Sequence, residues 1–514
     1  MNASSRGADH ALVVDLGTGG PKVAIVTLDG RLRWAAARQV ATVCLPDGTA
    51  VQDAGQWWRL VCESARAALA SGVVDPVSVV AVAVTGQWGS LVPVDAGGLP
   101  VGAARTFLDT RGARYTKAFI GGPMVGYNPR RAFTWIRRTA GAPSPNGGDP
   151  IAHMLSVQRD EPDVAAAARW YLEPVDYLTM RFSGQPAATH NSMTLAWLTD
   201  NRDPTRLAYD EQLVALSGVA ADRLPPLVPT GSIVGPVLPS VADDLGLSPD
   251  TVVVTGTTDL LTATIGSGAT ADYQAHVAIS TTAWISCPMP GKKTDVLHSI
   301  ATVPGLRPDR YYLANNHETA GVCLAWARDQ IFGGSYADLD ELAASAEPGC
   351  GGALFTPWLS GLRSPVDDRK ARAGWHNVSL ATTRAHLVRA VLEGVAYNTR
   401  WLHEHVERFV GRRLDPIRIL GGGAQSELWC QVHADVLDRH IERVADPVTA
   451  QLRGAGLVAG LALGVLTDAD AAAAVPVDRT FVPDPGAHAA YQPMYAQFRR
   501  MYRRQRGLFA ALNH

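Results

Sequence analysis

Cysteine is sparse in this chain. The six in 514 residues (Cys44, Cys62, Cys287, Cys323, Cys350 and Cys430) lie far apart with no Cys-x-x-Cys pair, which excludes a disulfide-stapled secreted domain and a thiolate zinc site. Long hydrophobic runs are lacking too. The longest, residues 454–466, carries four glycines and falls short of the ~20 residues a membrane span needs, so it reads as a buried helix. The first ten residues are polar and without the apolar core of a signal peptide, which points to a cytoplasmic protein without a membrane partner. Neither sign of charge dominates: 46 basic residues face 48 acidic ones, which argues against a disordered polyelectrolyte and against a nucleic-acid partner. The familiar nucleotide signals are missing as well. No P-loop occurs, and Gly266-Ser-Gly-Ala-Thr-Ala271 follows a helix-like run (260–265) instead of the strand a dinucleotide fingerprint requires.

What is present is an alternation of strands and helices, in a chain with 47% hydrophobic residues and a length that at ~150 residues per domain allows three domains or two larger ones. Residues 11–15 and 22–28 read as strands joined by the turn Gly17-Thr-Gly-Gly-Pro21, a hairpin. Helical spacing follows over 56–70, then a strand over 79–84 that enters Thr85-Gly86-Gln87. The Pro-rich stretch 224–238 reads as the boundary between two halves and a candidate hinge, with a second round starting near Asp250 at the strand 251–254. Residues 276–279 and 283–286 flank Ser280-Thr281-Thr282 and echo the first hairpin. Thr382 or Thr383 is placed to cap a long helix with apolar positions Leu387, Val391, Val395, Leu402, Val406 and Phe409. The strand 417–420 then enters Gly421-Gly-Gly423, and a further helix starts near Ser426. The expected fold class is α/β.

Turns of this kind can be ordinary hairpin ends or can offer their N–H groups as anion nests, to which Thr18, Lys22 and Thr281 add donors suited to phosphate. Asp15 is the more informative residue. A carboxylate ending a buried strand beside such a turn is costly unless it meets a cation or a donor, and Mg²⁺ held through water meets that need.

In order and spacing these stations resemble the FGGY carbohydrate kinases from Asp15 to about Gly464. Asp15-Leu-Gly-Thr-Gly-Gly-Pro-Lys22 is similar to that family's first phosphate loop, and Ser280-Thr281-Thr282 stands at its second. Thr85-Gly86-Gln87 and Leu108-Asp109-Thr110-Arg111 resemble its sugar-contacting segments, and Asp259 its catalytic aspartate. Trp358-Leu-Ser-Gly-Leu-Arg-Ser-Pro365, Arg389-Ala-Val-Leu-Glu-Gly-Val-Ala396 and Gly421-Gly-Gly-Ala-Gln-Ser426 complete the match. The resemblance implies two ribonuclease-H-like (actin-like ATPase) domains, 1–245 for sugar and 246–514 for nucleotide, flanking a central cleft. It implies an ATP- and Mg²⁺-dependent sugar or polyol kinase, xylulokinase-like, with a small-molecule substrate; a homodimer is compatible with it. Asp259 would be the general base, with Asp15 and Asp259 meeting across the crevice at the metal. Gln87, Trp88, Asp109 and Arg111 would face the sugar. Gly17, Thr18, Lys22, Ser280 and Thr281 would face the phosphates, and Gly321, Gly422, Gly423, Ala424 and Ser426 the adenosine, Ser426 having helix capping as its alternative role.

Four departures from the family pattern stand out. Gln87-Trp88-Gly89-Ser90 replaces a common Gln-Met-His-Gly, Leu260 replaces an amide, Val175 a frequent Lys, and Ser280 a Gly, which would be strained in a turn that needs positive φ. Leu260, Ser280 and the Trp88 segment motivate an alternative, a non-catalytic sugar or nucleotide sensor that keeps the cleft; an actin- or chaperone-like ATPase without a sugar substrate is a third.

Overall fold

The computed structural model describes residues 9–124 and 126–513; most of the polar N-terminal stretch read above lies outside them. Two sheets organise the chain. The first runs Ile233–Pro236, Val252–Val254, Val79–Gly86, His10–Gly17, Gly20–Thr27, Leu32–Ala37, with Thr257–Thr258 continuing beside Val79–Gly86. The second runs Ala275–Ile279 between Ala283–Ser286 and Ile417–Leu420, then Ile441–Val444 and Val477–Phe481. Strand for strand the pairings correspond. His10–Gly17 pairs antiparallel with Gly20–Thr27 and parallel with Val79–Gly86. Ala275–Ile279 pairs antiparallel with Ala283–Ser286 and parallel with Ile417–Leu420. In each sheet a further parallel strand and an antiparallel edge follow. The two-round plan is therefore real, and the fold is a mixed α/β one with no closed barrel among the described residues.

One part of the sequence reading is corrected. The strand expected to open the second round, observed as Val252–Val254, lies in the first sheet beside Val79–Gly86, and the Pro-rich stretch contributes that sheet's edge, Ile233–Pro236. The second round opens at Ala275. An apolar strand entering a Thr-Gly turn looks the same locally whether it starts a round or ends one. The division at 245/246 stays a proposal, since the first sheet takes strands from both sides of it.

Helices pack where the apolar spacing placed them. Ala54–Ala70 buries Trp57, Val61, Ala65, Ala68 and Leu69. Arg384–Val410 starts at Thr383, whose hydroxyl accepts from His386 N in a capping box. Within that helix Arg389 and Glu393, both buried, pair at 2.8 Å, and Arg389 also donates to Tyr491. The glycine-interrupted run becomes the buried helix Ala450–Ala462, which packs on Asp259–Gly266 and on the first sheet. Its glycines are what allow the approach: a Cβ on Gly454 would stand 1.9 Å from the Thr262 carbonyl oxygen, and one on Gly266 would stand 1.8 Å from that of Ala450.

Candidate active site

The first sheet delivers a set of polar groups to one end. Asp15 is opposite Thr85 in the parallel ladder, and Thr85 is opposite Thr257, two residues before Asp259. Asp15 lies in the sheet and Asp259 immediately follows one of its strands, so the two carboxylates meet at the end of one sheet and do not face each other from two halves, which corrects the expected arrangement while keeping the acids together. Asp15 is buried, and Lys22, opposite it in the hairpin, places Nζ 3.4 Å from its Oδ2. Asp259 begins the helix Asp259–Gly266, which the Thr258 hydroxyl caps by accepting from Leu261 N. Burial pushes the Asp259 carboxyl up to about 7 and the negative charge of Asp15 pushes the same way, while the N–H of Leu260, Lys22 and its own N–H pull it down. A carboxylate in that position is a poised proton acceptor. Its helix is pinned to the sheet by Thr262, whose hydroxyl lies 2.8 Å from that of Thr85.

The turn after Asp15 is tied to its surroundings. Gly17 and Gly20 close the hairpin. Thr18 donates to Gln87 Oε1 at 3.1 Å, and Gln52 donates through Nε2 to the Thr18 carbonyl at 2.8 Å. Gln87 N–H bonds the Leu16 carbonyl, and its side-chain Nε2 is buried without a partner among the described residues, a donor that a ligand oxygen could use. Trp88 is half-buried, packed along part of its ring on the core. Asp109 takes a different place from the one its motif suggested. It is fully buried, accepting from Ala50 N and, through both oxygens, from Arg111. Burial alone would raise its pKa, but the Arg111 and Ala50 bonds hold it below the ordinary value. Arg111 keeps about a quarter of its side chain exposed and is the member of the pair that can reach a ligand.

The second sheet delivers the other group. Ser280-Thr281-Thr282 joins Ala275–Ile279 to Ala283–Ser286, with Thr281 exposed. Ser280 is not among the residues with positive φ, so the strain expected of a non-glycine there does not arise. The Ser280 carbonyl accepts from Gly321 N at 2.7 Å. Gly421, at φ +91°, lies so close to the hairpin strand that a Cβ would stand 2.4 Å from the Ile279 carbonyl oxygen, whereas Gly422 faces open space. Gly423 and Ala424 are buried. Ser426 caps the helix Glu427–Leu437 by accepting from Trp429 N, the commoner of its two expected uses. Leu260 and Val175 point into the core, where neither side chain would meet a ligand. Sequence reasoning missed Gln52, Thr262, Glu173 and Asn191; the Asn191 side chain accepts from Thr258 N and donates to the Pro304 carbonyl. Each is a lone polar residue in an unremarkable stretch, without a motif to flag it.

Comparison with known proteins agrees with this geometry. Residues 10–266 match the model of the N-terminal domain of the FGGY family of carbohydrate kinases, and residues 252–463 that of its C-terminal domain. A xylulose kinase of Staphylococcus epidermidis is 28% identical over 98% of both chains. The xylulose kinase of Escherichia coli is 26% identical over 97% of this chain and 99% of that one. Among solved structures, the ligand-bound xylulose kinase from Lactobacillus acidophilus superposes with a TM-score of 0.85 at 19% identity, covering 98% of this chain and 100% of that one.

Proposed function

The chain belongs to the FGGY family of carbohydrate kinases, and on that premise we propose that it passes the γ-phosphoryl group of ATP to a hydroxyl of D-xylulose or of a related pentulose or polyol. As a family member it is a phosphotransferase with an alcohol acceptor and a small sugar as substrate. The observation that carries the reading is the convergence of Asp15, Lys22 and Asp259 at the end of one sheet. Nothing favours the non-catalytic alternative: both acids are in place, and the departures at Leu260 and Ser280 leave the site unstrained.

Phosphoryl transfer asks for positioning, charge neutralisation and a proton acceptor more than for covalent help. Asp259 takes the proton of the attacking hydroxyl as its oxygen bonds to the γ-phosphorus and the bridging bond to the β-phosphate breaks. With its carboxyl raised to about 7 it is a stronger base than an ordinary carboxylate and still substantially ionised at neutral pH. Thr18, Lys22, Thr281 and the N–H groups of both turns, with Gly17 and Ser280, receive the phosphate oxygens. Gln87 Nε2, Trp88 and Arg111 hold the sugar, Asp109 fixing the Arg111 fork. Gly321 and Gly422 to Ala424 shape the adenosine side, with Ser426 setting the helix behind them. Among the described residues no cluster of three His, Cys, Asp or Glu side chains would hold a metal unaided. Asp15 and Asp259, two hard oxygen donors beside the phosphate turn, suit Mg²⁺, which keeps several waters and takes its remaining ligands from substrate phosphates. Bound there it would neutralise charge across the β- and γ-phosphates.

No helix among the described residues is long and apolar enough to cross a membrane, and the six free cysteines, five of them buried, suit a reducing cytoplasm. The test is a coupled ADP-release assay with Mg-ATP and a panel of ketoses, polyols and aldonates, with the phosphorylated product identified. Sugar-dependent ADP release with a pentulose is expected. Protein that binds ATP yet releases none with any acceptor would overturn the reading.

A further inference from the structure

Beside the site, outside the reacting pair, Glu173 is a buried acid that pairs with no basic side chain among the described residues. It occupies the cap position of the helix Pro174–Ser183, yet its side chain makes no bond to that helix. It is 1% exposed, and its two oxygens accept separately: Oε1 from Gly89 N at 3.1 Å, and Oε2 from Ser90 N at 3.0 Å. Burying a carboxylate is unfavourable unless its lone pairs are met. Here burial raises its pKa well above the ordinary value, the Ser90 N–H opposes that, and Asp176 raises it further. The positive end of the helix offsets part of the cost. Neither capping nor packing requires a carboxyl at this place.

What the carboxyl does is hold two consecutive N–H groups of the segment 87–90. The other end of that segment is held by the Gln87 N–H on the Leu16 carbonyl and by the Thr18 hydroxyl on Gln87 Oε1. Between the two anchors stand the groups a sugar would meet, Gln87 Nε2 and the Trp88 ring. The same turn of helix abuts the catalytic segment: a Cβ on Gly256 would lie 2.8 Å from the Val175 carbonyl.

We propose that Glu173 is a positioning residue for the acceptor, its two oxygens setting the Gln87–Trp88 segment so that the site selects sugar stereochemistry. This rests on the assignment of Gln87 and Trp88 to the sugar subsite. The experiment is steady-state kinetics of Glu173→Gln, Glu173→Leu and Gln87→Ala, with ATP and with the best acceptor of the panel and its epimer at one ring-chain carbon. Glutamine keeps the shape but sets an NH₂ against one of the two N–H donors. It should lower kcat/KM for the sugar about tenfold or more, the factor that leaving a buried N–H donor without its acceptor carries. It should also narrow the ratio between the epimers, with the KM for ATP and the ATP-bound melting temperature close to wild type. Glu173→Leu should do more of the same; where it does not fold, the glutamine variant carries the test. Sugar kinetics and epimer ratio unchanged in Glu173→Gln would overturn the role, as would equal losses toward sugar and ATP. Gln87→Ala separates the two readings. If it leaves the sugar KM unchanged, the subsite assignment falls and this inference with it; if it raises the KM while Glu173→Gln does not, only the role of Glu173 falls.

Discussion

Asp259→Asn should cripple the enzyme and stabilise the fold, and the second effect should depend on pH in a defined way. The folded state holds the Asp259 proton up to about 7, whereas the ordinary carboxyl releases it near 3.8. Between those values the folded chain binds the proton and the unfolded chain does not, so wild-type stability falls as pH rises through this window and is level above it. At ~1.4 kcal/mol per pKa unit the displacement corresponds to about 4 kcal/mol. Asp259 is partly exposed, and water screening brings this down to ~2 kcal/mol. Asparagine removes the charge at constant shape. The variant should therefore be more stable than wild type at pH 8, with the advantage shrinking toward pH 5, in metal-free and nucleotide-free protein followed by urea or thermal unfolding. Turnover should fall by about 10²–10⁴-fold, the usual effect of losing a general base, with ATP binding retained. An advantage equal at pH 5 and pH 8, or absent at both, would refute the idea that the fold bears the cost of an ionised acid here. A variant turning over at the wild-type rate would refute the assigned base.

Three further outcomes follow from particular contacts. Gly421→Ala forces a side chain onto φ +91° and against the Ile279 carbonyl; it should cost about 1–3 kcal/mol from backbone strain alone and abolish the thermal shift ATP gives the wild type. Arg389→Leu strands Glu393 in the core and should cost ~3–5 kcal/mol by urea unfolding, most of it recovered when Glu393→Leu is added, since an apolar pair replaces a buried ionic one at little loss. Gln52→Leu orphans the Thr18 carbonyl and the Trp57 indole N–H, both bonded to Gln52. It should lower stability by ~1–3 kcal/mol and turnover with it, measured by unfolding and by ADP release.

How much of this was legible in the sequence depended on whether the signal was local. The hairpins at Gly17–Gly20 and at 280–282 announce themselves through turn residues between apolar runs, and the helix Arg384–Val410 through its threonine cap and apolar spacing. Strand membership is not local: residues 251–254 carry no mark of which sheet they join, and that choice alone decides that Asp259 sits with Asp15. Motif resemblance has the opposite weakness. Asp109 matches its motif, yet the fold spends both its oxygens on Arg111 and Ala50, so its chemistry reaches a ligand only through its partner. Glu173 could not be singled out among 48 acids, because the N–H groups it serves lie more than eighty residues earlier in the chain.

The placement of both acids on one sheet also says which steps a movement of the halves can affect. A rigid displacement of the second sheet leaves the Asp15–Asp259 relation untouched, since Asp15 and the strand leading into Asp259 share one parallel ladder and Thr262 ties the helix of Asp259 to Thr85 in it. What it changes is the distance from that pair to the Ser280–Thr282 turn, which belongs to the other sheet. The proposed proton acceptor is thus in place on the first sheet, and a movement of the second sheet would change only how near the Ser280–Thr282 turn comes to it. Gly454→Ala, which sets a side chain against the Thr262 carbonyl, should by contrast displace the helix that begins at Asp259, lowering kcat and shifting the pH dependence of turnover, because the helix Ala450–Ala462 packs on that helix and on the same first sheet.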